Sequence, residues 1–215
     1  MIATLPIAHA TNIIDFMLSG TTTNKGDPLT FDSTGAPLIT ATAWGFSDNG
    51  NNAVSKVGST TTVSGAPAQL LDTFNGLGVK STSGLITNSS FVVFDFSGVT
   101  ASTTAQIELN DITEFWDVYG LNSSTVPSST GNVVEKFTGV TPLASGGKAT
   151  DGDLETINNF ASYQYIIVIA SQDCQAIIDE FQFSTSATTP EPGTFVMAGM
   201  ALIGLGTMLR KARKG

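Results

Sequence analysis

Phe91-Val92-Val93-Phe94-Asp95-Phe96-Ser97 is the stretch on which the fold reading turns. Five of its seven residues are β-branched or aromatic, the types that fit a pleated, half-buried surface. With period two, Phe91, Val93 and Asp95 share one face and Val92, Phe94 and Phe96 the other. Working outward, similar short runs occur at 12–18, 37–46, 105–109, 115–121, 132–138, 163–170 and 176–183. Trp44 and Phe46 fall on one face of their run. Trp116 and Val118 share a face of theirs, opposite Phe115, Asp117 and Tyr119. The run 163–170 is nearly all apolar, as in a central strand. Gly and Pro lie mainly between the runs, and no convincing helix interrupts them. The pattern predicts an all-β sandwich.

The length, 215 residues, suits one domain with an appendage. Charged residues are 13% of the chain, about half the share in ordinary soluble domains. The net charge is −9 and the isoelectric point about 4.3. One His and one Cys exclude a zinc site built from several such ligands and an intramolecular disulfide. Residues 1–189 hold five Lys, no Arg and 17 Asp plus Glu, a net of −12. Such a body repels phosphate polymers and anionic lipid and lacks a guanidinium fork. Nucleic acid is therefore not an expected partner. Neutral polyols and cations remain.

The two ends carry the address. Residues 184–189 are small and polar and read as a linker. Pro190-Glu191-Pro192 then stiffens the chain and blocks backward helix growth. Residues 193–209 are uncharged over seventeen positions, and as a helix they would reach about 25 Å, the short end of a membrane span. Arg210, Lys211, Arg213 and Lys214 follow directly. By the positive-inside rule they stay cytoplasmic and the acidic body lies outside. At the other end, Ala8-His9-Ala10 has the small-x-small form of a signal cleavage site. Residues 1–10 therefore read as the remnant of a signal peptide with a truncated start, with the mature chain beginning near Thr11.

The order of tripeptide, short Gly-containing apolar helix and basic cluster resembles the PEP-CTERM sorting signal of bacterial surface proteins. The resemblance covers 190–215. It implies an exosortase as processing partner, cleavage near the tripeptide and a Gram-negative host that makes exopolysaccharide. The implied route is anchoring in the inner membrane, then the cell surface or extracellular matrix. The tail would then be a removable address. The body, 11–183, also resembles the sandwich found on many such proteins, through Gly76-Leu77-Gly78-Val79, the 91–97 run and the closing strands. That resemblance implies a jelly-roll-like or galactose-binding-like β-sandwich. Lys80 stands where relatives often carry Cys.

Residues able to do chemistry are few. A Ser-His-Asp triad needs a base, and the sole His, His9, lies in the segment expected to be removed. Cys174 sits between Asp173 and Gln175, which do not activate a thiol. Paired carboxylates for glycoside hydrolysis have candidates in Glu108 with Asp111 and Glu114, and in Asp179 with Glu180. Asp151, Asp153 and Glu155 alternate in a Gly-containing loop, an oxygen-rich set suited to a structural calcium, with an acidic solvated turn as the alternative. The run Ser47-Asp48-Asn49-Gly50-Asn51-Asn52 is a second oxygen-rich loop. The Ser/Thr-rich stretches 59–64 and 123–130 read as glycosylation zones, edge strands or loops.

Taken together, the sequence leads to a non-catalytic exported surface or matrix protein, with no cofactor beyond that possible calcium, working alongside exopolysaccharide or biofilm. The second expectation is a lectin-like, carbohydrate-binding module using exposed Trp44 or Trp116. A glycoside-active enzyme is the third.

Overall fold

Phe91, Val92, Val93 and Phe94 are all buried, so the first four residues of the stretch that announces the fold have no solvent face. The computed structural model explains this. It describes residues 10–18, 24–34, 38–48, 52–73, 76–99, 102–122, 131–171 and 174–187. In chain order the strands are β1 (Ala10–Met17), β2 (Asn24–Gly26), β3 (Leu29–Asp32), β4 (Thr40–Ser47), β5 (Val54–Val57), β6 (Thr60–Ala68), β7 (Leu70–Thr73), β8 (Gly76–Val79) and β9 (Ile86–Thr87). They continue as β10 (Ser90–Asp95), β11 (Ser102–Asn110), β12 (Phe115–Leu121), β13 (Val133–Thr138), β14 (Ala144–Gly147), β15 (Leu154–Thr156), β16 (Tyr165–Ala170) and β17 (Gln175–Ala187). The only helical elements among the described residues are three short 3-10 turns.

The strands form two sheets. One has eight strands, with β15-β11-β17-β8-β7-β2 as its spine and β1 and β9 also on β17. The other has nine, ordered β13-β6-β4-β10-β16-β12-β14, with β3 on β4 and β5 on β6. Between the sheets lies the inner core. Val92, Phe94, Trp116, Val118, Ile166 and Val168 of the nine-stranded sheet join one apolar cluster with Phe16, Leu77, Ile107, Ile178, Phe181 and Phe183 of the other. Phe94 meets Phe181 edge-on at 4.8 Å between ring centroids, and Phe16 meets Phe183 at 5.8 Å, the arrangement that ring quadrupoles favour.

The nine-stranded sheet folds over its own outer face. The end of β6 pairs with β4 through Ala66, Pro67 and Ala68. Its first part pairs with β5 and with β13. Val54, Val63, Val133 and Phe137 of this turned-over portion pack on Phe46, Phe91, Val93, Tyr119, Ile167 and Ile169. Phe46 stacks on Phe91 at 5.1 Å and Tyr119 on Phe137 at 4.5 Å. Strands β10 and β16 therefore lie between two apolar layers, and apolar residues on both faces follow from that.

Each of the eight predicted runs contains a strand. Two readings change. Four of the six positions read as a linker, 184–187, belong to β17. Ser184 and Thr185 pair with Thr104 and Ser102 of β11, and Ser and Thr serve well on such a surface. The 59–64 stretch is mostly β6, which is hydrogen-bonded on both sides. The Gly76-Leu77-Gly78-Val79 motif is β8, wholly buried. Gly76 has φ +129, and a Cβ on Gly78 would strike the backbone of Gly84, so this strand accepts only bare backbone at both positions.

The segment Ile13–Thr185 forms one compact unit. Only the ends of β1 and β17 are described in the second unit. The spans 1–9 and 188–215 lie outside the described residues, and with them most of the signal remnant, the tripeptide, the 193–209 span and the basic tail. No helix among the described residues is long and apolar enough to cross a membrane.

Candidate functional site

Alternation along β12 sends Trp116 and Val118 into the inner core and turns Phe115, Asp117 and Tyr119 to the folded-over side. Asp117 thus sits mid-strand, opposite Ile169 on one neighbour and Ser145 on the other. It is 15% exposed, and its carboxylate faces the Lys56 ammonium of β5 at 3.6 Å. Burial pushes the Asp117 carboxyl above its ordinary range, and the Lys56 charge opposes this. Burial likewise raises the Tyr119 phenol, with its hydrogen bond to Thr61 opposing. That bond, Tyr119 Oη to Thr61 Oγ1, is 3.1 Å long and buried.

Between β5 and the β12–β16 pair lies a cavity of about 240 Å³. Val54 and Ile169 give it apolar walls. Asn52, Ser55, Lys56, Thr61, Asp117 and Ser171 give it polar ones. Hydrogen bonds tie its lining to the neighbouring segments. Val54 N–H donates to the Asn88 carbonyl at 2.8 Å, and Asn88 Nδ2 donates to Asn52 Oδ1 at 3.1 Å. Ser171 donates to the Phe115 carbonyl at 2.9 Å. Phe115 itself is 66% exposed, one alternation from Asp117. This arrangement can bind a small polar molecule through donors, acceptors and an apolar surface at once.

Sequence reasoning missed this site. Its signal was an acid in the middle of an aromatic strand face, since Asp117 costs free energy there unless something pairs with it. Lys56 gave no signal, because it approaches only after β6 folds over.

Trp116 offers no sugar platform. Trp116 is 1% exposed. Its indole Nε1 donates to Thr150 Oγ1 at 3.3 Å, which satisfies the one polar atom of a core side chain. Trp44 is partly buried against the outer layer. The expectation of an exposed Trp116 is therefore corrected.

The carboxylates sort into two groups. Asp151 Oδ1 accepts the Ile112 N–H at 3.1 Å. Glu155 lies in β15 opposite Ile107, and Asp153 is exposed. Among the described residues no three His, Cys, Asp or Glu side chains gather as a metal site, so these three are not brought together. The second group surrounds a β-bulge. The register passes from Glu108 opposite Glu180 to Leu109 opposite Ile178, which leaves Asp179 as the extra residue. Asn110 Nδ2 donates to Asp179 Oδ2 at 3.1 Å. Burial, then the Asp179 and Asp153 charges, raise Glu108. Burial, then the Asp15, Glu108 and Asp179 charges, raise Glu180. Cys174 is buried just before β17.

No curated protein and no solved structure matches the chain. Residues 188–214 match the PEP-CTERM protein-sorting motif, a span holding Pro190, Glu191, Pro192 and all four terminal basic residues. The chain is therefore an exported protein that carries the C-terminal signal by which an exosortase sorts its substrates.

Proposed function

We propose that the all-β body is a non-catalytic surface or matrix component, delivered by its C-terminal signal and working alongside exopolysaccharide. The sorting-motif match at 188–214 carries this reading. On it, 193–209 spans the inner membrane until cleavage near Pro190-Glu191-Pro192, and Arg210, Lys211, Arg213 and Lys214 hold the cytoplasmic side. The body belongs with jelly-roll-like or galactose-binding-like sandwiches. Support for a non-catalytic role comes from the chemistry in hand: one His in the whole chain and one buried thiol. The net of −12 before the tail suits a neutral matrix better than an anionic one.

The test replaces Pro190, Glu191 and Pro192 with Ala in the native host and follows the protein by fractionation and mass spectrometry of its C-terminus. A plain anchor needs only apolar length and flanking charge. A processed address also needs the rigid extended segment that two prolines impose. The variant is expected to accumulate at full length in the inner membrane, while the wild type reaches the matrix fraction shortened. Release of the variant at the wild-type rate with the wild-type terminus would overturn the processing reading. Absence of the wild type from the polysaccharide fraction would overturn the matrix reading.

A further inference from the structure

We propose that the cavity between β5 and the β12–β16 pair binds a single neutral, polyhydroxylated ring with the size and chemistry of one pyranose unit. The inference rests on the matrix reading for the source of such a ligand, and on the cavity for its binding. At about 240 Å³ the space lies below the ~300–1,000 Å³ of clefts for drug-sized ligands. It suits one ring.

The charge balance disfavours a simple anion or cation. Lys56 and Asp117 place one charge of each sign on the walls, 3.6 Å apart, so the cavity selects neither an anion nor a cation. The acidic body further opposes an anion. Neighbouring hydroxyls on a sugar each donate and accept. A carboxylate only accepts and an ammonium only donates, so the two flank a pair of hydroxyls in complementary fashion. The single contact between them engages one of the three ammonium N–H groups. Asn52 uses its carbonyl oxygen on Asn88 and keeps its amide hydrogens to give. Ser171 donates to Phe115 and keeps its lone pairs to accept.

The apolar side is also present. Val54 and Ile169 line the space. The C–H face of a pyranose packs on such surfaces. A structural explanation of Asp117 is weaker, because an apolar residue would fill a layer of Val, Ile, Phe and Tyr at lower cost than a half-desolvated ion pair. Burial does raise the Asp117 carboxyl.

The experiment is calorimetry on the full chain in micelles of a detergent without a sugar headgroup. The probes are the methyl pyranosides of glucose, galactose and mannose, N-acetylglucosamine, and glucuronate as a charged comparison. At least one neutral probe is expected to bind with Kd of about 1 mM, and glucuronate more weakly. Asp117→Asn is expected to weaken that binding about tenfold or more. Asn52→Ala is expected to weaken it about threefold, with folding intact because that lining side chain is exposed. The proposal is overturned if no neutral probe binds up to about 50 mM, if glucuronate binds best, or if both variants bind as the wild type does. Failure of the probes with the protein still in the matrix fraction removes the cavity proposal alone. Binding without matrix retention removes the matrix reading alone.

Discussion

The inner core and the folded-over outer layer share strands β10, β12 and β16 but differ in chemistry. The inner core holds six closely packed phenylalanines, Phe16, Phe94, Phe96, Phe160, Phe181 and Phe183, and its indole N–H is satisfied by Thr150. The outer layer admits a phenol, a carboxylate, an ammonium and a cavity. Stability should therefore concentrate in the inner core and ligand chemistry in the outer layer, on opposite faces of one sheet. The largest expected effect follows. Phe94→Ala should lower unfolding free energy by about 3–5 kcal/mol, because its ring contacts cannot be replaced by collapse. Phe137→Ala, in the smaller layer beside the cavity, should sit at the low end of that range, about 3 kcal/mol. Urea unfolding of both variants checks the order, and a larger loss for Phe137→Ala would break the comparison.

The next effect isolates the ion pair. Lys56 is 61% exposed, so its direct attraction is worth only about 1 kcal/mol after screening. Lys56→Met should cost about that much at neutral pH, because Asp117 then keeps a half-desolvated charge without its partner. The cost should shrink in acid, where Asp117 takes up a proton. Adding Asp117→Leu should recover stability, since an apolar pair suits the surrounding layer. Thermal melts of the single and double variants at two pH values decide this. A cost for Lys56→Met that is equal at both would assign Lys56 to protecting an edge strand from pairing, not to Asp117.

The comparison also marks what the sequence could reveal. Apolar composition located 91–97 and 163–170 as strands, but their alternation could not choose a core face, because both faces are covered. Val54–Val57 escaped as a strand and 59–64 was left open between strand and loop because Thr, Ser, Gly and Lys dominate there, and their order comes from pairing with each other and with β13. The sorting signal was legible because it is local and contiguous. The cavity was not, because Lys56 and Asp117 meet only through the bend of β6. Trp116 misled for a related reason: a strand aromatic gives its face but not whether another sheet covers it.

A smaller effect concerns pH at the two sites. Asp117 in the outer layer, and Glu108 and Glu180 beside the bulge, all have raised carboxyls, as has Asp27, where burial dominates. A raised group binds its proton more tightly folded than unfolded. Its contribution is therefore fully present below the unfolded value and is lost as pH rises through the folded one. The melting temperature should be higher near pH 4.5 than near pH 7.5. Relief of repulsion within the acidic body acts in the same direction. Glu108→Gln with Glu180→Gln should flatten the profile more than Asp117→Asn, because like charges face each other at the bulge whereas Asp117 faces Lys56. A melting temperature that rises towards neutrality would show that these carboxylates are stabilised by charge in the fold, contrary to their surroundings.

The smallest effect is expected in the Asp151 loop, which contrasts with the cavity as a polar cluster that already has a structural task. Asp151 Oδ1 receives the Ile112 N–H, so the loop is fastened to the segment after β11. Gly152 N–H adds a second tie, to the Leu109 carbonyl at 3.0 Å. Asp153 points its chemistry at solvent, and Glu155 is fixed by β15 pairing with β11. A calcium ion would need these oxygens to converge, at the expense of the Ile112 contact. Asp151→Ala should cost about 0.5 kcal/mol through that lost acceptor on an exposed loop, and Asp151→Asn, which keeps an oxygen there, less. The same variants distinguish metal from tether. If the tether is the whole role, the melting temperature is the same in EDTA and in excess Ca²⁺, and Asp153→Ala is silent. A drop in EDTA of the size set by ligand concentration over Kd, abolished by Asp153→Ala, would make the loop a calcium site and move ligand chemistry to the edge of the inner core.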